Sequence, residues 1–200
     1  MLASNPLGFL FSTKKQWQIV AQQPLAKFSL YLLYPLLMAI PTALAWYYGI
    51  TEIGWKVGSG EAIRLTHESA RAIIVLFYLA MIGSIVVIGY LTHWMSRTYN
   101  AETSIAKGIS IAGFISTPLF FAGMVGFYPV LWLDLVIAII ALAMTVYSLY
   151  IGIPIAMKLP AEQGFLYASA ILAVAMVIMI CIMAGSVILW DFGAAPVFID

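Results

Sequence analysis

The stretch FLYASAILAVAMVIMICIMAGSVILW, Phe165 to Trp190, runs for 26 residues without a charged side chain. As an α-helix rising about 1.5 Å per residue it would reach roughly 39 Å, enough to cross a hydrocarbon core of about 30 Å. Four further long apolar runs precede it: Phe28 to Ile50, Ala72 to Met95, Ile105 to Phe127 with Lys107 near its edge, and Val130 to Gly152 with the single acid Asp134. Five such segments in 200 residues predict an all-α, polytopic integral membrane protein built as a single domain.

Composition supports the same reading. Hydrophobic residues make up 64% of the chain, and nine Lys and Arg face eight Asp and Glu, where a soluble chain of this length would carry about 50 charges. A mean hydropathy of +1.05 excludes disorder, and a net charge of +1 without a basic cluster excludes nucleic-acid binding. Cys181 is the single cysteine and has no intrachain partner for a disulfide. The apolar patch Leu7 to Phe11 precedes the lysines and lacks a cleavage site of small residues, so it does not resemble a signal peptide, and the first span is expected to stay in the mature protein.

Basic residues in the connections set orientation. Lys14, Lys15, Lys27, Arg97, Lys107 and Lys158 fall on one side of a five-span chain; Lys56, Arg64 and Arg71 fall on the other, among Glu52, Glu61 and Glu68. This predicts a cytoplasmic N-terminus and a periplasmic C-terminus. Aromatics at the span ends agree, among them Trp46, Tyr47, Tyr48, Trp94, Tyr99, Tyr128, Trp132 and Trp190.

Ahead of the first span, Thr13 and Gln16 have capping-box spacing, and Pro24 stops the helix that would follow. Trp17, Val20 and Ala21 share one face while Lys14, Lys15, Gln18 and Gln22 lie mostly off it. The pattern predicts a short interfacial helix over about 13–23, with Trp17, Lys14 and Lys15 anchoring it to lipid headgroups. Gly54, Gly58 and Gly60 around Trp55 predict a turn-rich loop. Glu61, Arg64, Glu68 and Arg71 recur at helical spacing, which predicts a surface helix leading into the second span.

Few residues could carry chemistry. Asp134 is the only acid within the spans, about one turn into the fourth. It reads as a helix cap, as a cation, proton or headgroup site, or as a partner of Arg64, Arg71 or a tyrosine. Tyr128 and Trp132 flank it. In the third span Ser116-Thr117-Pro118 predicts a kink, because proline leaves a carbonyl near residue 114 without its donor and adjacent hydroxyls can replace it. Pro35 and Pro41 predict the same in the first span. Gly108, Ala112 and Ser116, with Gly113 and Thr117, place small side chains every four residues and predict that the third span is the bundle centre. His67 and His93 stand 26 residues apart, nearly 40 Å along a helix, too far to share a metal. Ser186 lacks a nucleophile motif, Cys181 reads as a filler, and Met176, Met179 and Met183 follow packing periodicity. No catalytic group, cofactor or metal is expected.

Four runs, IPTALAWYYGITEIGW (Ile40 to Trp55), FISTPLFFAGMVGFYPVLW (Phe114 to Trp132), YSLYIGIP (Tyr147 to Pro154) and VILW (Val187 to Trp190), resemble the bacterial YohC-like inner-membrane branch of the Yip (Ypt/Rab-interacting protein) domain family. Leu7 to Trp17, Gly152, Pro160, Glu162 and Gly164 extend the likeness over nearly the whole chain. The resemblance implies a five-span bundle with a cytoplasmic N-terminus. Eukaryotic members are associated with small GTPases and membrane traffic; bacteria lack that machinery, so fold and location carry over and the trafficking role does not. The expected function is a non-enzymatic inner-membrane protein that binds lipid, another membrane protein or a second copy of itself, and affects membrane organisation. The alternative is a small-molecule or lipid transporter, or flippase, built on Asp134 and the kinked helices.

Overall fold

The computed structural model describes residues 5–55 and 61–199; Lys56, Gly58 and Gly60, read above, lie outside them. Helix α1 (Pro6–Phe11) begins where the Asn5 side-chain oxygen accepts from the Leu7 N–H at 3.1 Å. It folds directly onto α2 (Thr13–Ala21). The expected capping box does not form: Thr13 donates its hydroxyl to Phe9 O at 2.9 Å, and Gln16 Oε1 accepts from the Asn5 N–H at 3.3 Å. Both side chains fasten α2 to α1 because the preceding segment is itself helical.

The first span is jointed. A 3₁₀ turn (Leu25–Lys27) leads into α3 (Phe28–Tyr31) and α4 (Leu33–Tyr48), and a π turn (Gly49–Ile53) closes it. Strand β1 (Arg64–Leu65) precedes α5 (His67–Met95), which Thr66 caps by accepting from the Ser69 N–H. Glu61 and Arg64 are therefore not on a surface helix. Ile63 bridges to Trp55, and the backbone around Arg64 is extended against β2 (Phe198–Ile199) at the chain's end, with α5 starting only after Thr66. The third span is a broken pair, α6 (Ile105–Ile115) and α7 (Thr117–Gly123), bent by 47° and extended by a 3₁₀ turn to Phe127. The fourth and fifth are α8 (Leu131–Met157) and α9 (Ala161–Leu189).

Four of these segments are individually long and apolar enough to cross a membrane, and the bent pair makes a fifth if it passes through rather than turning back. Strand pairing decides between the two. Leu65 lies opposite Phe198, so the connection after the first span and the chain's end share one end of the bundle. That follows from five crossings; with four, the chain would finish at the opposite end. Asn100, after α5, and Lys158, after α8, likewise border one cavity at the other end. The protein is an all-α, multi-pass membrane protein.

The third span is the bundle centre. In α6 every residue from Ser110 to Ile115 is buried except for the backbone bend that follows, and Phe114 is fully enclosed. Gly108 sits on the backbone carbonyl of Gly89 in α5, and a Cβ on Gly89 would collide with the backbone of Ile109. Gly113 packs on Pro35, Gly123 on Thr42 and Gly126 on Trp46. Missing side chains thus admit the second span on one flank and the first on the other. By contrast α9 buries Gly164, Tyr167, Ala168 and Ile171, and its remaining turns are largely open.

Candidate membrane-embedded site

Pro118 cannot donate to Phe114 O, four residues back. Thr117 supplies the missing donor, its hydroxyl bonding to Phe114 O at 2.7 Å. Since that uses Thr117's one proton, the Tyr34 O–H must donate to Thr117 Oγ1, 2.8 Å away. Ser116 donates to Ala112 O at 2.9 Å. The N–H of Met124 bonds to Phe121 and Ala122 rather than Phe120, and the Thr42 hydroxyl from α4 takes Phe120 O at 2.9 Å. Every hydroxyl at the bend is committed to backbone or to Tyr34. Phe114 stacks on Phe9 and meets Tyr31 and Tyr34 edge-on. The expected kink exists, as a filled joint.

Asp134 is the fourth residue of α8, and its N–H bonds to Val130 O at 2.9 Å. It does not cap the helix. A capping side chain comes from the non-helical residue before the first turn, which here is Val130. Both Asp134 oxygens are shielded and have no hydrogen-bond partner among the described residues. Arg64 and Arg71 do not reach it, the one contact within 4.0 Å between a basic and an acidic side chain among those residues being that of His67 with Glu52. Tyr128 and Trp132 are 61% and 68% exposed, facing outward from the start of α8. No hydrogen bond among the described residues joins Asp134 to Ser116, Thr117 or Pro118.

Trp17 departs from its expected role as a lipid anchor. It is fully buried, its indole N–H donates to Ser148 Oγ in α8 at 3.1 Å, and its ring occupies the space a Cβ on Gly152 would need. An amphipathic helix buries its apolar face against whatever surface is adjacent, and α8 presents a slot shaped for an indole. Lys14 and Lys15 remain exposed on the opposite face. Sequence reasoning missed the polar ties between spans: Ser110 to Phe28 O at 3.0 Å, Tyr150 to Ser169 at 2.9 Å, and the Tyr167 hydroxyl to Thr92 O. Their signal was available as hydroxyls inside apolar runs, but their partners come from other helices.

The Yip1 domain matches residues 7–182, from α1 to within the last turns of α9. The chain belongs to the Yip1 domain family. Inner membrane protein YohC of Escherichia coli K12 is 33% identical over 190 residues, covering 95% of this chain and 97% of that protein. Inner membrane protein YohC of Escherichia coli O6:H1 matches to the same extent. No solved structure matches. The Yip1 match takes in the α1–α2 hairpin, whose Trp17 is built into the core beside the five spans.

Proposed function

We propose that this protein is a non-enzymatic inner-membrane protein that holds lipid against its outer helices and thereby organises the bilayer around it, with its N-terminus cytoplasmic and its C-terminus periplasmic. The observation that carries this reading is an apolar groove of about 400 Å³ between α5 and α9, lined by Ile73, Phe77, Ala80, Ile182, Gly185 and Trp190 among others. It opens within the spans, where acyl chains are the ambient apolar groups. The centre of the bundle around Phe114 is packed by side chains. The name of the relatives supports the inner membrane, and the excess of basic residues at the α2 end supports the orientation.

The groove can be filled by design. A Cβ on Gly185 would meet nothing within 4 Å, so Gly185→Leu enters empty space. Native mass spectrometry of the purified protein should show retained lipid on the wild type and fewer lipids on Gly185→Leu, with the fold unchanged by circular dichroism. Equal retention, or retention no greater than that of unrelated five-span proteins, would remove the lipid reading.

The Asp134 carboxylate, without a hydrogen-bond partner among the described residues, favours a second reading, in which the protein moves a cation, proton or lipid headgroup past the bend at Ser116. Asp134→Asn keeps the shape and deletes the charge. It should abolish a transport signal in proteoliposomes if that reading holds; undiminished transport would take Asp134 out of the mechanism.

A further inference from the structure

At the bundle end that carries α2 lies a cavity of about 470 Å³, bordered by Gln23, Leu25, Asn100, Glu102, Lys107 and Lys158 among others. Three separate parts of the chain meet there: the exit from α2, the connection that leads from α5 into α6, and the end of α8. Its polar groups are unbalanced. Lys107 is only 8% exposed, yet no carboxylate among the described residues lies within ion-pair distance of its ammonium. Its Nζ donates to the backbone Glu102 O at 3.0 Å and stands 5.9 Å from the centre of the Phe28 ring. These contacts leave one or more ammonium protons uncommitted. Lys158 adds a second positive charge, against the single acid Glu102. Gln23 spends its amide N–H on Ile19 O at 3.3 Å, while its Oε1 is shielded from solvent and has no donor partner among the described residues.

The backbone repeats the signal. The two non-glycine residues with positive φ among those described are Asn100 at 54° and Lys158 at 55°, and both border this cavity. Lys158 caps α8, and Asn100 closes the turns that follow α5, each through the same backbone bond five residues back. Ala101 N–H bonds to Ser96 O at 3.0 Å and Leu159 N–H to Pro154 O at 2.9 Å, with Asn100 and Lys158 in the left-handed position where glycine is favoured. A lysine at that position runs against local backbone preference, and departures of this kind concentrate at functional sites.

We propose that this cavity binds a phosphate group that also carries a hydrogen-bond donor. Lys107 and Lys158 take the phosphate oxygens, and Gln23 Oε1 accepts from a hydroxyl or ammonium of the same ligand. A buried ammonium without a carboxylate calls for an anion, and an orphaned acceptor beside it calls for a donor. The site lies where α6 begins and α8 ends, which is headgroup depth, so a phospholipid with a hydroxyl-bearing or amine-bearing headgroup meets both demands; a free phosphate monoester or inorganic phosphate shares the chemistry. The proposal rests on the lipid reading above only for that depth.

The test uses the full-length protein in a phosphate-free neutral detergent, with three probes: phosphatidylglycerol, phosphatidylcholine and inorganic phosphate. Two variants accompany it, Lys107→Gln and Lys158→Gly. The second removes the ammonium and also relieves the left-handed backbone, so it should unfold at or above the wild-type temperature while binding less, a combination that misfolding does not produce. The wild type should retain phosphatidylglycerol over phosphatidylcholine in native mass spectra, and each variant should lose about tenfold or more in that affinity, the scale of a charge-assisted hydrogen bond. A rise in unfolding temperature with inorganic phosphate, absent in both variants and unaccompanied by lipid preference, also supports the site and assigns it a soluble phosphate. Unchanged response of both variants to all three probes overturns the proposal. If at the same time lipid retention still falls in Gly185→Leu, the lipid reading survives that failure. Loss of all lipid retention with a persistent phosphate response would overturn the lipid reading instead.

Discussion

Thr117 shows how much one hydroxyl can settle inside an apolar bundle. It replaces the donor that Pro118 lacks and accepts from Tyr34, tying the third span to the first. The two partners are not equivalent. Thr117→Val strands Phe114 O and leaves the half-buried Tyr34 hydroxyl without its acceptor, whereas Tyr34→Phe removes a donor whose acceptor remains bonded elsewhere. The first substitution should cost about 1–3 kcal/mol and the second about 1 kcal/mol or less. Denaturation of the purified variants in mixed micelles measures both, and equal losses would show that the Phe114 carbonyl finds another donor. The Thr117–Phe114 bond was legible from the Thr-Pro pair, because both partners are local. Tyr34 was not, because its partner lies 83 residues away.

Between elements, the close approach of α5 and α6 depends on glycines that face backbone. Gly89 meets the backbone of Ile109, so even one added methyl group forces the helices apart, and backbone cannot rotate out of the way as a side chain can. Gly83, two turns earlier on the same helix, has nothing within 4 Å of an added Cβ. Gly89→Ala should therefore destabilise the protein by about 1–3 kcal/mol, as overpacking does. Gly83→Ala should be neutral or stabilising by up to about 1 kcal/mol, from helix propensity. Thermal unfolding followed by circular dichroism separates them, and similar effects at both positions would contradict the α5–α6 contact. Small-residue spacing made the third span legible as the centre. The fate of Trp17 was not legible: lipid headgroups and a protein slot both accept an amphipathic face, and the choice lies in the shape of α8 at Ser148 and Gly152.

At the scale of the molecule, pairing of β1 with β2 joins residues near the start of the second span to the strand at Phe198–Ile199. Cysteines at Leu65 and Phe198, placed in a Cys181→Ala background, should form an intramolecular disulfide under mild oxidation, since antiparallel partners lie within bridging distance. Failure to cross-link would reopen the four-crossing path. Reporters fused after Asn100 and after Asp200 should lie on opposite sides of the membrane, the first cytoplasmic; a shared side would refute five crossings.

Apolar run length and charge placement are one-dimensional quantities, and they were sufficient for the class of fold, the number of runs and the expected sides. Pro118 and its neighbouring hydroxyls marked the bend for the same reason, since backbone bonding in a helix is local. What required three dimensions is every feature whose partner comes from a distant part of the chain. Strand β1 exists because residues 198 and 199 return to it, overriding the helical charge spacing at Glu61 and Arg64, while Glu68 and Arg71 keep theirs on α5. Lys107 looked like an ordinary residue at a span edge; it borders a cavity only because α2, α5 and α8 end beside it. Periodicity states which face of a helix is apolar, but tertiary packing supplies the neighbour, and with it the difference between a lipid-facing and a buried side chain.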